Sequence, residues 1–288
     1  MPVSINHHRA GSGPPLVLVH GVGHRWQTWR PVIDLLSGEF EVLACDVPGF
    51  GGSSPLPAGV PRTIGAFADA LQGFLAELGI ERAHAAGNSM GGGIVLELAR
   101  RRAVASASVF SPVGFATPRE RRYASASLAA LRTLHALRPL ALALLHTPAR
   151  RVLLRQLYGY PARTPIEEAV DSTRDLWSSP SFLEALRCLR DHQLTAPEQL
   201  RGVPVTIAWG ERDRLLLYRR QAPRARARLP WAEHIALGAG HIPFYDDPPA
   251  CAQVIRSCAA RARGRDCAPA APDGSPPHAS GYAPSSAS

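Results

Sequence analysis

Ser89, His241 and Asp213 are the residues of this sequence whose types and spacing could do covalent chemistry. Ser89 lies in Gly87-Asn88-Ser89-Met90-Gly91, a Gly-x-Ser-x-Gly pattern with small and apolar residues before it and a helical pattern after it. That is how a strand hands one serine to a tight turn at the head of a helix. Glycine at 87 and 91, two positions either side, leaves room for a turn too strained and too close to admit side chains. A serine hydroxyl is a weak nucleophile at neutral pH and needs a base within hydrogen-bond reach. Among the eleven histidines, His241 is the best placed, in Gly240-His241-Ile242-Pro243 just past a strand pattern at 233–237. Of the others, His7, His8 and His278 lie in end segments, and His135, His146 and His192 lie in a helical stretch. His84 and His234 start strands, the wrong end for a site in a parallel sheet. The base also needs an acceptor that fixes its tautomer and stabilises the imidazolium. Asp213, in Trp209-Gly210-Glu211-Arg212-Asp213, fits, with Glu211 as the rival carboxylate. Asp246 and Asp247 are read as opening the last helix, where carboxylates favour the N-terminal dipole.

The elements that must position these residues follow a regular rhythm. Leu16–Val19, Glu41–Cys45, the run into Ser89, Ala107–Phe110, Pro204–Trp209 and Glu233–Leu237 read as strands. Between them, Phe67, Leu71, Phe74, Leu75 and Leu78 mark an amphipathic helix with Gly79 placed to end it, and Ile94, Val95 and Leu98 mark another. Alternating strands and helices predict a mainly parallel sheet with helices on both faces. The rhythm stops between 115 and 196, which is helical, strand-poor and broken by Pro139, Pro148, Pro161, Pro165 and Pro180. Leu128, Leu131, Leu134 and Leu137 recur there at three-residue intervals. We read a core of residues 1–114 and 197–263, a helical cap of residues 115–196 that could roof Ser89, and a last helix from about 249 to 263. Residues 264–288, rich in Ala, Pro, Ser and Gly, read as a disordered tail.

Composition narrows the chemistry. The chain has 288 residues, 45% hydrophobic and 19% charged, as expected of a globular protein with a full core. Its formal charge is +9, yet all 32 basic residues are arginine and none is lysine. Without lysine there is no P-loop lysine, no pyridoxal Schiff base and no Ser-Lys dyad. No nucleic-acid-binding motif accompanies the charge, so a nucleic-acid partner is not expected. The nine arginines between 119 and 163 read as a solvated basic face, with an anionic substrate or membrane surface as the alternative. Residues 1–13 hold no apolar run suited to a signal peptide, and the Ala/Leu-rich stretch 124–145 is broken by Arg132, His135, Arg138 and Pro139. A cytoplasmic protein with no transmembrane segment is expected. Its five cysteines, an odd number without Cys-x-x-Cys, are expected to be reduced.

With His20-Gly21-Val22-Gly23, Asp46-Val47-Pro48-Gly49-Phe50-Gly51, the Ser89 pentapeptide and Gly240-His241 in this order, the sequence resembles the α/β-hydrolase-fold family, serine-nucleophile branch. The resemblance covers roughly residues 14–113 and 200–260. It implies a three-layer α/β fold with a mostly parallel eight-stranded sheet and a helical cap inserted after the sixth strand. It also implies catalysis by Ser89, His241 and Asp213, with an oxyanion hole built from the backbone N–H groups of Val22 and Met90. His20 and Gly21 would then support that loop, and Gly87 and Gly91 the nucleophile turn. Relatives that open epoxides or displace halide carry aspartate where this chain has Ser89, so those reactions are set aside. The expected activity is a cofactor-free, metal-free hydrolysis of an ester, lactone or thioester. Its partner would be a small apolar acyl substrate, with a homodimer as the protein contact left open. The Gly-Asn-Ser-Met-Gly-Gly elbow also resembles hydrolases that cleave carbon–carbon bonds of ring-fission products. Ile242 in place of their tryptophan and the shorter His20–His24 loop make that the runner-up. A small-molecule receptor on the same fold is the alternative outside catalysis.

Overall fold

The computed structural model describes residues 3–133 and 137–266, with side chains as far as 263. The chain runs β1 (His7–Ala10), β2 (Pro15–Val19), α1 (Arg30–Leu36), β3 (Glu41–Cys45), α2 (Ile64–Glu77), β4 (Ala83–Asn88), α3 (Met90–Arg100) and β5 (Val104–Phe110). After the insertion described below come β6 (Val205–Gly210), α9 (Tyr218–Arg228), β7 (Glu233–Leu237) and α10 (Pro248–Asp266). The strands form one sheet in the order β1-β3-β2-β4-β5-β6-β7, parallel throughout except for β1 against β3.

Side-chain alternation along the strands builds two cores, one on each face. Val17, Val19, Leu43, Cys45, Ala85 and Val109 pack toward α2 and α3. Leu16, Leu18, Val42, Ala44, Ala86 and Phe110 pack toward α1 and α10. In α2, Thr63 caps the N-terminus by accepting from Ala66 N–H, and Phe67, Leu71, Phe74 and Leu75 are buried. Leu78, expected on the same stripe, is 38% exposed because it sits at the C-cap, where Gly79 takes φ +72 and ends the helix.

Three features differ from expectation. The sheet has seven strands among the described residues rather than eight, and the insertion follows the fifth strand rather than the sixth. Ahead of β1, Ser4 and Asn6 make single backbone bonds to Ser54 and Asp46, so no further edge strand builds there. The last helix continues to Asp266, three residues into the segment read as tail. Residues 267–288, with Cys267, and Leu134 lie outside the described residues. The four cysteines within them are free.

The insertion holds α4 (Pro118–Thr133), α5 (Arg138–Leu145), α6 (Arg150–Leu153), α7 (Ile166–Ser178) and α8 (Phe182–Asp191). A proline sits within two residues of each helix start, where a fixed φ and a missing N–H cost least. Leu128, Leu176, Trp177, Phe182, Ala185 and Leu186 join the same core as Val22, which seats the insertion on the loops at the C-terminal strand ends. No single helix among the described residues is long and apolar enough to cross a membrane.

Candidate active site

Ser89 stands between the last residue of β4 and the first of α3, at φ 55 and ψ −115. A non-glycine residue there is strained by about 1–3 kcal/mol, so its surroundings must hold it. Its N–H donates to Phe110 O at 3.0 Å, and its carbonyl accepts from Gly93 and Val113 N–H at 3.1 Å each. The flanking glycines are sterically required. A Cβ on Gly87 would lie 2.3 Å from Gly91 O, and one on Gly91 would lie 2.1 Å from Val19 O.

The loop after β7 carries His241, whose Nδ1 lies 2.8 Å from Asp213 Oδ2. Both side chains are buried. The other Asp213 oxygen accepts the N–H groups of Leu215 (2.9 Å) and Leu216 (2.8 Å), an arrangement that suits an ionised carboxylate. With a carboxylate accepting at Nδ1, that nitrogen carries the proton and Nε2 is left with a lone pair, as a general base requires. Glu211, the rival, is exposed.

Asn88 ties the two halves together. Its amide donates to Phe110 O at 3.0 Å and to His241 O at 2.9 Å, so the residue beside the serine anchors the backbone of the histidine. This role has no local signature in the sequence. Asn88→Ala takes from the buried His241 carbonyl its donor, at about 1–3 kcal/mol, and leaves Phe110 O with the Ser89 N–H alone. We expect a lower midpoint in thermal unfolding together with a kcat loss larger than any change in KM. Loss of stability alone, with kcat intact in the folded fraction, would show that Asn88 serves only the fold.

His20 is not available as a base. Val47 N–H donates to its Nε2 at 2.9 Å, so Nδ1 carries the proton and donates to Gly21 O at 2.7 Å. Burial depresses its pKa, against an opposing pull from Asp46. Gly21 brings the loop close, since a Cβ there would lie 3.1 Å from Ser89 Cβ. Val22 lines a cavity of about 40 Å³ that also exposes Ser89, beneath Ala124, Leu128 and Leu186 of the insertion. Met90 is fully buried at the first position of α3, where backbone N–H groups lack partners within the helix.

Two carboxylates read as opening α10 have different roles. Asp247 caps the helix, accepting from Ala250 N–H at 3.1 Å. Asp246 is buried and accepts the N–H groups of Gly159, Tyr160 and Gly240, each at 2.8 Å, so it binds the His241 loop to the insertion instead. The spacing of the two residues from the helix start is the same within one position, and only the tertiary fold separates them. Gln221 likewise has no signature in the sequence. It is 1% exposed, lines the Ser89 cavity, and neither atom of its amide has a hydrogen-bond partner. Among the described residues no cluster of His, Cys, Asp or Glu is arranged to hold a metal ion.

Known proteins share this architecture. The chain is 30% identical over 256 residues to an uncharacterized protein of Mycobacterium tuberculosis, covering 83% of this chain and 73% of that one. It is 40% identical over 102 residues to a 2-hydroxymuconate semialdehyde hydrolase of a Pseudomonas species, 34% of this chain and 36% of that one. Among solved structures, a membrane phospholipase A described as a bacterial virulence factor superposes with a TM-score of 0.73 at 24% identity, covering 91% of this chain and 84% of that one. The family model described as "Alpha/beta hydrolase family" matches residues 16–254, and the chain belongs to that family.

Proposed function

We propose that this chain is a serine hydrolase of carboxylic esters, lactones or thioesters, working through Ser89, His241 and Asp213. The observation that carries the reading is the hydrogen-bonded path from Asp213 through His241 to Asn88, which ends beside a serine held at φ 55. In the reaction, Ser89 Oγ attacks the substrate carbonyl as its proton passes to His241 Nε2. Asp213 keeps Nδ1–H oriented and stabilises the imidazolium. The Val22 and Met90 amides bind the oxyanion, a contribution of about 3–4 kcal/mol for each such donor in other enzymes. Collapse expels the alcohol or thiol, which takes the proton from His241. Water, deprotonated by the same nitrogen, then releases the acid and restores Ser89. The helices α4–α8 act as a cap that excludes bulk water from this step.

Gln221 adds a preference. A buried amide without partners costs about 1–3 kcal/mol, which a substrate offsets by supplying the missing partner. Gln221→Leu is therefore expected to lower kcat/KM by at least about tenfold for esters bearing a nearby hydroxyl or carbonyl. Plain alkyl esters should change little. Equal losses on both series would remove this role from Gln221.

A second reading has its own support. The Gly-Asn-Ser-Met-Gly-Gly elbow and the 40% identity to a 2-hydroxymuconate semialdehyde hydrolase favour cleavage of carbon–carbon bonds in vinylogous diketones. A panel of p-nitrophenyl esters, lactones, thioesters and vinylogous diketones decides between the readings. Ester or lactone turnover is expected. Turnover of the diketones alone selects the second reading, and binding without turnover across the panel points to a receptor.

A further inference from the structure

The outer face of the cap has a composition that the reaction at Ser89 does not use. Six of the nine exposed large hydrophobic side chains among the described residues fall between 123 and 153. They include Leu137 (49% exposed), Leu140 (56%), Val152 (61%) and Leu153 (45%) on and beside α5 and α6. Isolated exposed leucines need no explanation, but clustered ones mark an interaction surface. These are clustered around an opening. Leu131, Leu137, Leu140 and Leu153 also line an apolar cavity of about 250 Å³ inside the cap, whose inner wall includes Leu145 and His24. His24 is buried, and burial drives its pKa down to about 3, so this wall carries no charge at neutral pH. The opening to solvent is therefore apolar, and the lining behind it is mostly aliphatic, with His24, Gln156, Tyr158, Ser172 and Thr173 as its polar members.

Along α5 and α6 the charge is of one sign, while α7, another wall of the cavity, carries Glu167, Glu168, Asp171 and Asp175, the last two paired with Arg25. Residues 121–166 contain eight arginines and no aspartate or glutamate. Arg132 and Arg138 lie over the rings of Phe182 and Trp177, and each donates to a backbone carbonyl of α7. Arg151 and Arg155, on and beside α6, are exposed and pair with no carboxylate among the described residues. A short helix with leucines on one side and arginines beside them suits the boundary between lipid headgroups and acyl chains. There the apolar side chains leave water while the guanidinium groups meet anionic phosphate. A protein partner would have to supply acidic groups ringing an apolar plug. An anionic bilayer supplies both, and its acyl chains match the mostly aliphatic lining of the cavity.

We propose that the α5–α6 face of the cap docks on anionic lipid surfaces and that the cavity opening on this face takes an aliphatic chain from them. This holds whether or not Ser89 is the nucleophile, and the test uses Ser89→Ala to remove any hydrolysis that Ser89 carries. The protein is floated with vesicles of phosphatidylcholine alone, and of phosphatidylcholine mixed with phosphatidylglycerol. Binding is expected to the mixed vesicles and to weaken with added salt. Arg151→Glu with Arg155→Glu, and separately Leu140→Asp with Val152→Asp, should each lower the partition coefficient at least about tenfold. All four side chains face solvent, and an unchanged melting curve shows that each variant is folded. Occupancy of the cavity is read from Trp177, which lines it. Phospholipids brominated on the acyl chain should quench tryptophan emission, and Trp177→Phe should abolish most of that quenching. The proposal is overturned by no binding to the mixed vesicles, by equal binding to neutral ones, or by variants that bind like the parent. It is equally overturned by full quenching in Trp177→Phe. A dimer seen by sedimentation and dissolved by the Leu140 and Val152 changes would assign the face to a second copy of the chain instead.

Discussion

Ser89→Ala and His241→Ala are each expected to lower kcat on an activated ester by about a million-fold, because members of such a unit fail together. For the same reason the double variant should be scarcely worse than either single one. The thermal midpoint separates this loss from unfolding. Ser89→Ala keeps a Cβ at φ 55 and so keeps the backbone strain, and its midpoint should match the parent. Ser89→Gly removes the Cβ, and with it a strain of about 1–3 kcal/mol, so it should be more stable and equally inactive. A protein that gains stability when its serine is deleted is holding that serine against a cost, which a mere turn residue would not require. Substantial ester turnover in purified Ser89→Ala, with contaminating esterase excluded by active-site titration, would sink the assignment.

What the sequence made legible was local. The turn at Ser89 is written in five consecutive residues, and the parallel strands are written in runs such as Leu16–Val19, which is apolar because both faces of the sheet are covered. The edge strand β1 has no such signal, because His7-His8-Arg9-Ala10 is half solvated and carries no alternating pattern. It is identified only by its pairing with Cys45 to Val42. The positioning contacts leave no local trace for a different reason. Asn88 reaches a carbonyl 153 positions away, and Asp246 reaches N–H groups 86 and 87 positions back. Nothing in the spacing of either residue announces such partners. Gln221 is a polar residue on a helix that reads as mostly polar, and only burial against the Ser89 cavity distinguishes it from Arg219 and Arg220. Pairs of residues that meet through the fold, rather than along the chain, are where the sequence falls silent.

Asp213→Asn is expected to lower kcat by about ten-thousand-fold with the fold unchanged, while Glu211→Gln should cost little. The hydrogen bonds around the carboxylate give the reason. Asp213 Oδ1 accepts the N–H groups of Leu215 and Leu216, and Oδ2 faces His241 Nδ1. Asparagine must turn its remaining oxygen toward the two backbone donors, because an amide NH₂ there would face N–H groups with nothing to accept. Its NH₂ is then forced toward Nδ1. His241 can only meet that donor by accepting at Nδ1, which moves its proton to Nε2, the nitrogen that must take the proton from Ser89. The histidine stays in place and loses its function as a base. Glu211 is exposed, contributes its backbone N–H to Leu237 O, and offers its side chain to no group of the site. Proton NMR of the imidazole should place the ring proton on Nδ1 in the parent and on Nε2 in Asp213→Asn. If Glu211→Gln lost more activity than Asp213→Asn, the carboxylate of the site would be the wrong one, whatever the distance to His241.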